Sequence, residues 1–351
     1  MAIGYEWRYN DAMIHNSDSP LRVAVWGVGG QGGAHLKALR AIPEVRVVAL
    51  CDINPSALKT ASEAFSDNPI LSTEPEQLAR EVECDYAVVI VPNPARMGLL
   101  EILLSRRIPV FMEKPATHTL ADLDALIQWQ SDAAVPVMVG HNYRFTPEAR
   151  LIRRLINEGA IGPILDVHGF FKRNHALAEQ AYYGRLPGPL PLRIEMMIHH
   201  LDLAQSWIGA PLVKTVADGW RNTLSWGVGE TASNVLALYE NQVRFNYHGD
   251  WAAPANLTSF YGHWIITGET GSLRWADGPI QLYRKHATRY TWDAGESQVF
   301  TPAGGDNDSF LFEHREWVDA LRTGRAPQSS LQEAAQSLRL CLLAAEQHAL
   351  A

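Results

Sequence analysis

The chain has 351 residues, 47% of them hydrophobic and 19% charged, with a formal net charge of −8 and a pI near 5.9. That composition suits a globular protein with two cores; the acidic balance excludes a basic nucleic-acid surface, and no apolar run is long enough to span a bilayer. Cys51, Cys84 and Cys341 lie far apart without ligand spacing, which reads them as small apolar residues in strands or helices with no metal; a cytoplasmic, reducing location is expected, since the start lacks the apolar core of a signal peptide.

Met1 to Pro20, with Tyr5, Trp7 and Tyr9 in alternation, reads as an arm, extended or disordered. Leu21 to Trp26 is an apolar run of the kind a buried parallel strand needs. Gly27, Gly29 and Gly32 follow it in the spacing G-x-G-x-x-G, with Gly30 and Gln31 inside the turn. The first glycine permits a tight turn, the second lets backbone approach a pyrophosphate, and the third lets the next helix, about Gly33 to Ala41, pack close. That helix aims its N-terminal N–H groups and dipole at the phosphates. A second strand, Val45 to Cys51, leads to Asp52, where a carboxylate can accept hydrogen bonds from an adenosine ribose. A 2′-phosphate would be repelled there, and no arginine follows in Asp52-Ile53-Asn54-Pro55. The cofactor expected is NAD rather than NADP.

Strands and helices then alternate, as in a parallel sheet covered on both faces. Asn54 caps a helix with Pro55 at its first position, and Thr73 with Glu76 has capping-box spacing for the next. Asp85 to Val91 is a buried strand ending at Pro92-Asn93-Pro94, Ala95 to Arg107 a helix, and Pro109 to Met112 a strand ending at Glu113-Lys114-Pro115. Thr119 and Asp122 open a helix to about Ser131, and Val135 to Val139 is the last strand of the domain. Pro92, Asn93, Glu113 and Lys114, at strand ends where such sheets bind ligands, join the glycine turn, Asp52 and Ile53 as the candidate cofactor site.

Gly140 to Phe145 reads as a hinge, followed by a helix from Pro147 to about Asn157. Longer, alternating strands come next, at Ile164 to Arg173, Val235 to Tyr247 and Trp264 to Trp275, with a helix from Leu192 to Ile208. The tail from Ser309 to Ala351 is helical, broken at Gly324 and Pro327. The fold expected is α/β: an N-terminal Rossmann domain over residues 21–143, then an α/β domain over 144–351 with a large, open, mostly antiparallel sheet and C-terminal helices. Residues 1–20 stand apart as the arm.

The glycine turn, Glu113-Lys114-Pro115 and a helix carrying His199, Leu201 and Asp202 together resemble the Gfo/Idh/MocA oxidoreductases. Asn142-Tyr143-Arg144-Phe145, Ile161-Gly162-Pro163-Ile164 and Thr267-Gly268-Glu269-Thr270-Gly271-Ser272-Leu273 support the resemblance, which spans Leu21 to the C-terminus. It implies an NAD(P)-dependent enzyme acting on sugars, cyclitols or their derivatives. It puts the family's catalytic lysine on Lys114 and its histidine on His199. One turn earlier, where most members have aspartate, this chain has Glu195; where many have histidine after the Pro92 turn, it has Arg96.

The residues allow the same chemistry by themselves. Loss of hydride from an alcohol leaves a developing carbonyl, so a base must take the hydroxyl proton. His199 suits that task because imidazole titrates near neutral pH. Lys114 can hold the alkoxide-like oxygen by charge. Glu195 and His199, four apart, share a face of an α-helix, so the carboxylate can orient the imidazole. Asn142, Arg144 and Arg173 complete the candidate substrate set, with His175, Tyr182 and Tyr183 in a polar segment from Lys172 to Arg185; Asp202 reads as a structural hydrogen-bonder. For each of these a bland role, a solvated lysine or a satisfied core histidine, stays open.

The expectation is a dehydrogenase for a secondary alcohol on a sugar, cyclitol or glycoside, forming a homodimer or homotetramer through the open sheet, with no nucleic-acid or membrane partner. A glycoside hydrolase or lyase that oxidises its sugar transiently, and a non-catalytic dinucleotide sensor, are the alternatives.

Overall fold

A computed structural model describes residues 19–174, 192–225, 229–285, 297–302 and 308–346. Most of the expected arm therefore lies outside the described residues, as do His175, Tyr182 and Tyr183. In chain order the elements are β1 (Leu21–Trp26), α1 (Gly32–Arg40), β2 (Val45–Cys51), α2 (Pro55–Ser62), β3 (Ile70–Ser72), α3 (Pro75–Glu81), β4 (Tyr86–Val89), α4 (Asn93–Ser105), β5 (Val110–Glu113), α5 (Leu120–Ala133) and β6 (Val137–Gly140). A 3-10 turn (Asn142–Phe145) leads to α6 (Pro147–Asn157) and β7 (Ile164–Lys172). After a π-helical turn (Arg193–Met197) come α7 (Ile198–Ile208), β8 (Leu212–Trp220), β9 (Ala232–Tyr239), β10 (Arg244–Asp250), β11 (His263–Gly268), β12 (Gly271–Trp275), β13 (Ile280–Arg284), β14 (Ser297–Phe300), α8 (Asp308–Thr323) and α9 (Leu331–Glu346). The chain divides into two compact units, Met1–Asn142 with Asn307–Ala335, and Tyr143–Asp306 with Gln336–Ala351.

The first unit is a six-stranded parallel sheet of order β3-β2-β1-β4-β5-β6. Its central strands are buried on both faces, with Val23 to Trp26 and Tyr86 to Val89 all at 0% exposure, which is why they read as unbroken apolar runs. Two helix starts match their sequence signals. Asn54 Oδ1 accepts from the Ser56 and Ala57 N–H groups at 3.0 and 3.4 Å, and Thr119 Oγ1 accepts from Asp122 N–H at 3.1 Å. The Thr73 cap does not form. Pro75, with its fixed φ, starts α3 two residues later, and Ser72 Oγ takes the Glu74 N–H at 3.0 Å.

Sequence continuity puts the whole tail with the second domain, but residues 307–335 cluster with the first unit. There α8 lies against α1, and its Trp317 packs edge-on to Tyr86 with ring centroids 6.2 Å apart. Ser329 Oγ donates to the Val139 carbonyl at 2.8 Å, fastening the segment after α8 to β6.

The second unit holds a mixed eight-stranded sheet, β14-β13-β12-β11-β7-β10-β9-β8, antiparallel except for β7 with β10. Two of the three long strands expected are hairpins. Val235 to Tyr247 folds back at Glu240–Val243, with Gln242 at φ +66, and Trp264 to Trp275 folds back at Glu269–Thr270. Alternation persists through such turns, so period alone hides them. The second turn is tied down by Glu269 and Thr270 N–H bonds to the Pro163 and Ile161 carbonyls at 3.0 and 2.9 Å.

Inward side chains of this sheet, Val167, Phe171, Phe245, Trp264, Ile266 and Leu273, are buried. On the other face the register makes one row of Val299, Gln281, Arg274, Ile265, His168, Asn246, Leu236 and Val216. Its apolar members are exposed, Leu236 at 55% and Val216 at 53%.

Candidate functional site

In the first unit the strand order reverses between β1 and β4, which opens a crevice at their carboxyl ends. The glycine turn after β1 borders it. Gly27 has φ +88, and a Cβ there would lie 2.6 Å from the Ile90 carbonyl oxygen; a Cβ on Gly32 would lie 2.3 Å from the Gly27 oxygen. Those two glycines serve the turn and the close packing of α1. At Gly29 a Cβ would meet only Asp52 Oδ2, at 3.8 Å, and at Gly30 nothing within 4 Å, so the middle of the turn offers open backbone. Gln31 makes no side-chain cap on α1, whose exposed N-terminus is suited to an anion.

The Asp52 carboxylate is already oriented. Oδ2 accepts from the Val28 and Gly29 N–H groups at 2.9 and 3.2 Å, and Oδ1 from Asn54 N–H at 2.9 Å. Ile53 beside it is exposed. This cradle, open at its second glycine and carrying an acid fixed at its rim, fits an adenine dinucleotide.

Across the switch point, Pro92 precedes α4 and Asn93 opens it, buried, its amide donating to the Pro115 carbonyl at 3.5 Å. Arg96 is buried and donates to three carbonyls: Nη1 to Glu113 and Pro115 at 2.5 and 2.6 Å, Nε and Nη2 to Val91 at 3.0 and 2.8 Å. Burial pushes its guanidinium down to about 10, which leaves it charged at neutral pH. Lys114 is half-buried at the end of β5. Glu113 is turned inward: Oε1 lies 2.8 Å from His35 Nε2, and Oε2 accepts the Lys114 N–H at 2.9 Å. Burial alone would raise its carboxyl, but the His35 hydrogen bond and the charges of His35, Lys114 and Arg96 hold it below the usual range.

In the second unit His199 is buried to 7% exposure on α7, its ring stacked on Tyr143 with centroids 4.3 Å apart and planes 16° off parallel. Tyr261 braces Tyr143 from the edge at 4.8 Å. The adjacent His200 is used up structurally: Nδ1 lies 2.7 Å from the Tyr247 hydroxyl and Nε2 2.8 Å from the Phe260 carbonyl, and burial lowers its pKa to about 4. It is a neutral core residue.

Two expectations change here. Glu195 sits in the π turn, where Ile198 N–H bonds to the Arg193 carbonyl, so the α-helical spacing that would stack it over His199 does not run through it. Arg144 does not present its guanidinium to a cleft: buried, it donates from Nε and Nη2 to Asp202 at 2.5 and 2.7 Å. Asp202 is thus structural, as its position suggests. Asn142, half-buried, begins the 3-10 turn. Arg173 donates to the Thr258 carbonyl at 3.1 Å and lies over the Phe260 ring at 4.5 Å. Among the described residues no group of three His, Cys, Asp or Glu could hold a metal ion, and no helix is long and apolar enough to cross a membrane.

Sequence reasoning missed His35, His314 and Tyr143. The first two had a signal: each is a polar residue within the apolar stripe of its helix, beside Leu36 and Leu39 or Trp317 and Leu321.

The chain is 26% identical over 322 residues to D-apiose dehydrogenase of Paraburkholderia graminis, covering 90% of this chain and 84% of the relative. It is 26% identical over 241 residues to inositol 2-dehydrogenase of Rhizobium meliloti, covering 66% and 71%. A solved oxidoreductase from Agrobacterium radiobacter, in complex with NAD+, L-tartaric acid and magnesium, shares the fold with TM-score 0.83 at 19% identity over 95% of this chain and 97% of the other. Residues 21–141 match the oxidoreductase family's NAD-binding Rossmann fold and residues 153–349 its C-terminal alpha/beta domain. The chain belongs to the Gfo/Idh/MocA oxidoreductase family.

Proposed function

We propose that this oxidoreductase is an NAD-dependent dehydrogenase interconverting a secondary alcohol and a ketone on a sugar, cyclitol or glycoside. The chemistry of this reading calls on two groups, Lys114 and His199. The observation that carries the reading is Lys114 itself, an amine at the carboxyl end of β5 whose backbone N–H is held by Glu113. Bound NAD supplies the hydride acceptor. Gly29, Gly30, Asp52 and Ile53 would hold its adenosine half, and Pro92 and Asn93 border the path to Lys114. The lysine donates to the alcohol oxygen and stabilises the charge that grows as its proton leaves. His199 takes that proton, and its stack on Tyr143 fixes the ring plane. The dehydrogenases of apiose and inositol among the relatives support a polyol substrate.

The test is NADH formation with NAD and a panel of sugars, cyclitols and glycosides. Accumulating NADH is expected; cleaved glycoside without net NADH would overturn the reading. In a fluorescence titration NAD is expected to bind on the order of tenfold or more tighter than NADP, because the added phosphate meets the Asp52 carboxylate. Asp52→Ser should close most of that gap; equal affinities in the wild type would remove the argument from Asp52.

The exposed Val299, Ile265, Leu236 and Val216 in the mixed row on the eight-stranded sheet support a homodimer or homotetramer formed on that face, since exposed apolar side chains gathered on one face are ordinarily covered. Light scattering should give at least a dimer, and Leu236→Lys with Val216→Lys should shift it toward monomer; a monomeric wild type would end the idea. Free thiols at Cys51, Cys84 and Cys341 support a cytoplasmic, reducing location.

A further inference from the structure

Inside the first unit two fully buried histidines meet from opposite ends of the chain. His35 Nδ1 on α1 lies 2.9 Å from His314 Nε2 on α8, and His35 Nε2 lies 2.8 Å from Glu113 Oε1. The line continues through Glu113 Oε2, which accepts the Lys114 N–H at 2.9 Å. The rings cannot turn freely. Phe310 and Phe111 meet the His35 ring edge-on at 4.9 and 5.6 Å, and Phe111 also packs on His314 at 4.6 Å.

Two proton arrangements satisfy this line, one with His314 donating to His35 and one with a charged His35 donating to His314. In both, His35 Nε2–H donates to Glu113. Burial, together with the neighbouring His35, pushes His314 well below its ordinary pKa, so His314 is the neutral end. From the other side Arg96 donates to the carbonyls of Glu113 and Pro115, the residues that bracket Lys114. Thus the lysine's own N–H and the carbonyls on both sides of it are each held by a buried or inward-turned polar side chain.

Such an arrangement is costly for stability alone. Buried charges and imidazoles cost desolvation, and well-packed apolar side chains of similar size would stabilise the same core as well or better. What the polar groups add is direction at one residue. We propose that His314, His35, Glu113 and Arg96 are positioning residues that fix the backbone at Lys114 and so deliver its amine to one place, Glu113 acting through the lysine and not on the cofactor. This inference rests on the reading of Lys114 as the group that holds the substrate oxygen.

The test compares wild type, His35→Leu, which removes the donor to Glu113, His35→Gln, which keeps an amide N–H near Nε2, and Lys114→Met. Amide hydrogen exchange at Lys114 is read by NMR on the whole protein without added ligand, and kcat and KM for NAD are read on the best substrate of the panel. H35L should speed exchange at Lys114 at least tenfold and lower kcat at least tenfold, with KM for NAD within twofold; H35Q should return both to within threefold of wild type. Should H35L fail to fold, Glu113→Gln, which keeps the side chain's shape, must give the same pair of changes. Unchanged exchange in H35L or E113Q overturns the inference whatever the activity. Faster exchange with unchanged kcat, when K114M is inactive, overturns the positioning role while leaving Lys114 in place. An active K114M overturns the reading of Lys114, and the inference with it.

Discussion

Replacing Lys114 by methionine should lower kcat about 10²- to 10³-fold while NAD binding stays within twofold. Methionine keeps the length and apolar stem of the lysine and removes only the ammonium. Its Nζ is proposed to meet the oxygen on which charge grows as the proton leaves, an interaction stronger in the transition state than in the ground state. Loss of one preorganised donor of that kind costs roughly 10²–10³ in rate. The binding of NAD is proposed to rest on other groups, the open glycine turn and the oriented Asp52 carboxylate. NADH absorbance for turnover and quenching of protein fluorescence for binding separate the two effects. A variant that turns over at near the wild-type rate would remove Lys114 from the chemistry.

Asp202→Ala should be among the most damaging single changes in the second unit. It leaves the Arg144 guanidinium, whose side chain is 1% exposed, without its carboxylate. Removing one partner of a buried pair costs about 3–5 kcal/mol, which in a unit of this size lowers the calorimetric transition by on the order of 10 °C. Replacing both partners, as Arg144→Met with Asp202→Leu, should cost clearly less, because no charge is stranded. Arg144 adjoins Tyr143, which stacks on His199, so the single variant should also lose turnover. A transition unmoved in D202A would show the pair to be dispensable.

Much of the first unit was legible because its signals are local. The glycines, the Asn54 and Thr119 caps and the apolar runs each act within a few residues, and each produced the element expected. The Thr73 cap failed because Pro75 made a stronger start nearby. In the second unit, alternation continued through two turns and disguised hairpins as long strands. The π turn was invisible for a different reason: a sequence does not say whether a helical carbonyl bonds four or five residues ahead, yet that choice decides what Glu195 faces. The site residues named from motifs, Lys114 and His199, sit at a strand end and on a buried helix as expected, but their supports did not show. Arg144 finds Asp202 across 58 residues and His35 finds His314 across 279. Only the folded chain pairs them.

The second of these pairings bears on how the protein is made. The first unit is discontinuous, and the helix covering α1 belongs to Asn307–Ala335. A ribosome that has finished Asn142 has delivered every strand of the parallel sheet but not the helix that covers His35. At about 5–20 residues per second the gap lasts on the order of ten seconds or more. Through that interval the nascent sheet carries an open apolar flank, so the earliest domain in the sequence is among the last to be sealed, and a fragment ending at Asn142 would be a client for chaperones and not a portable module.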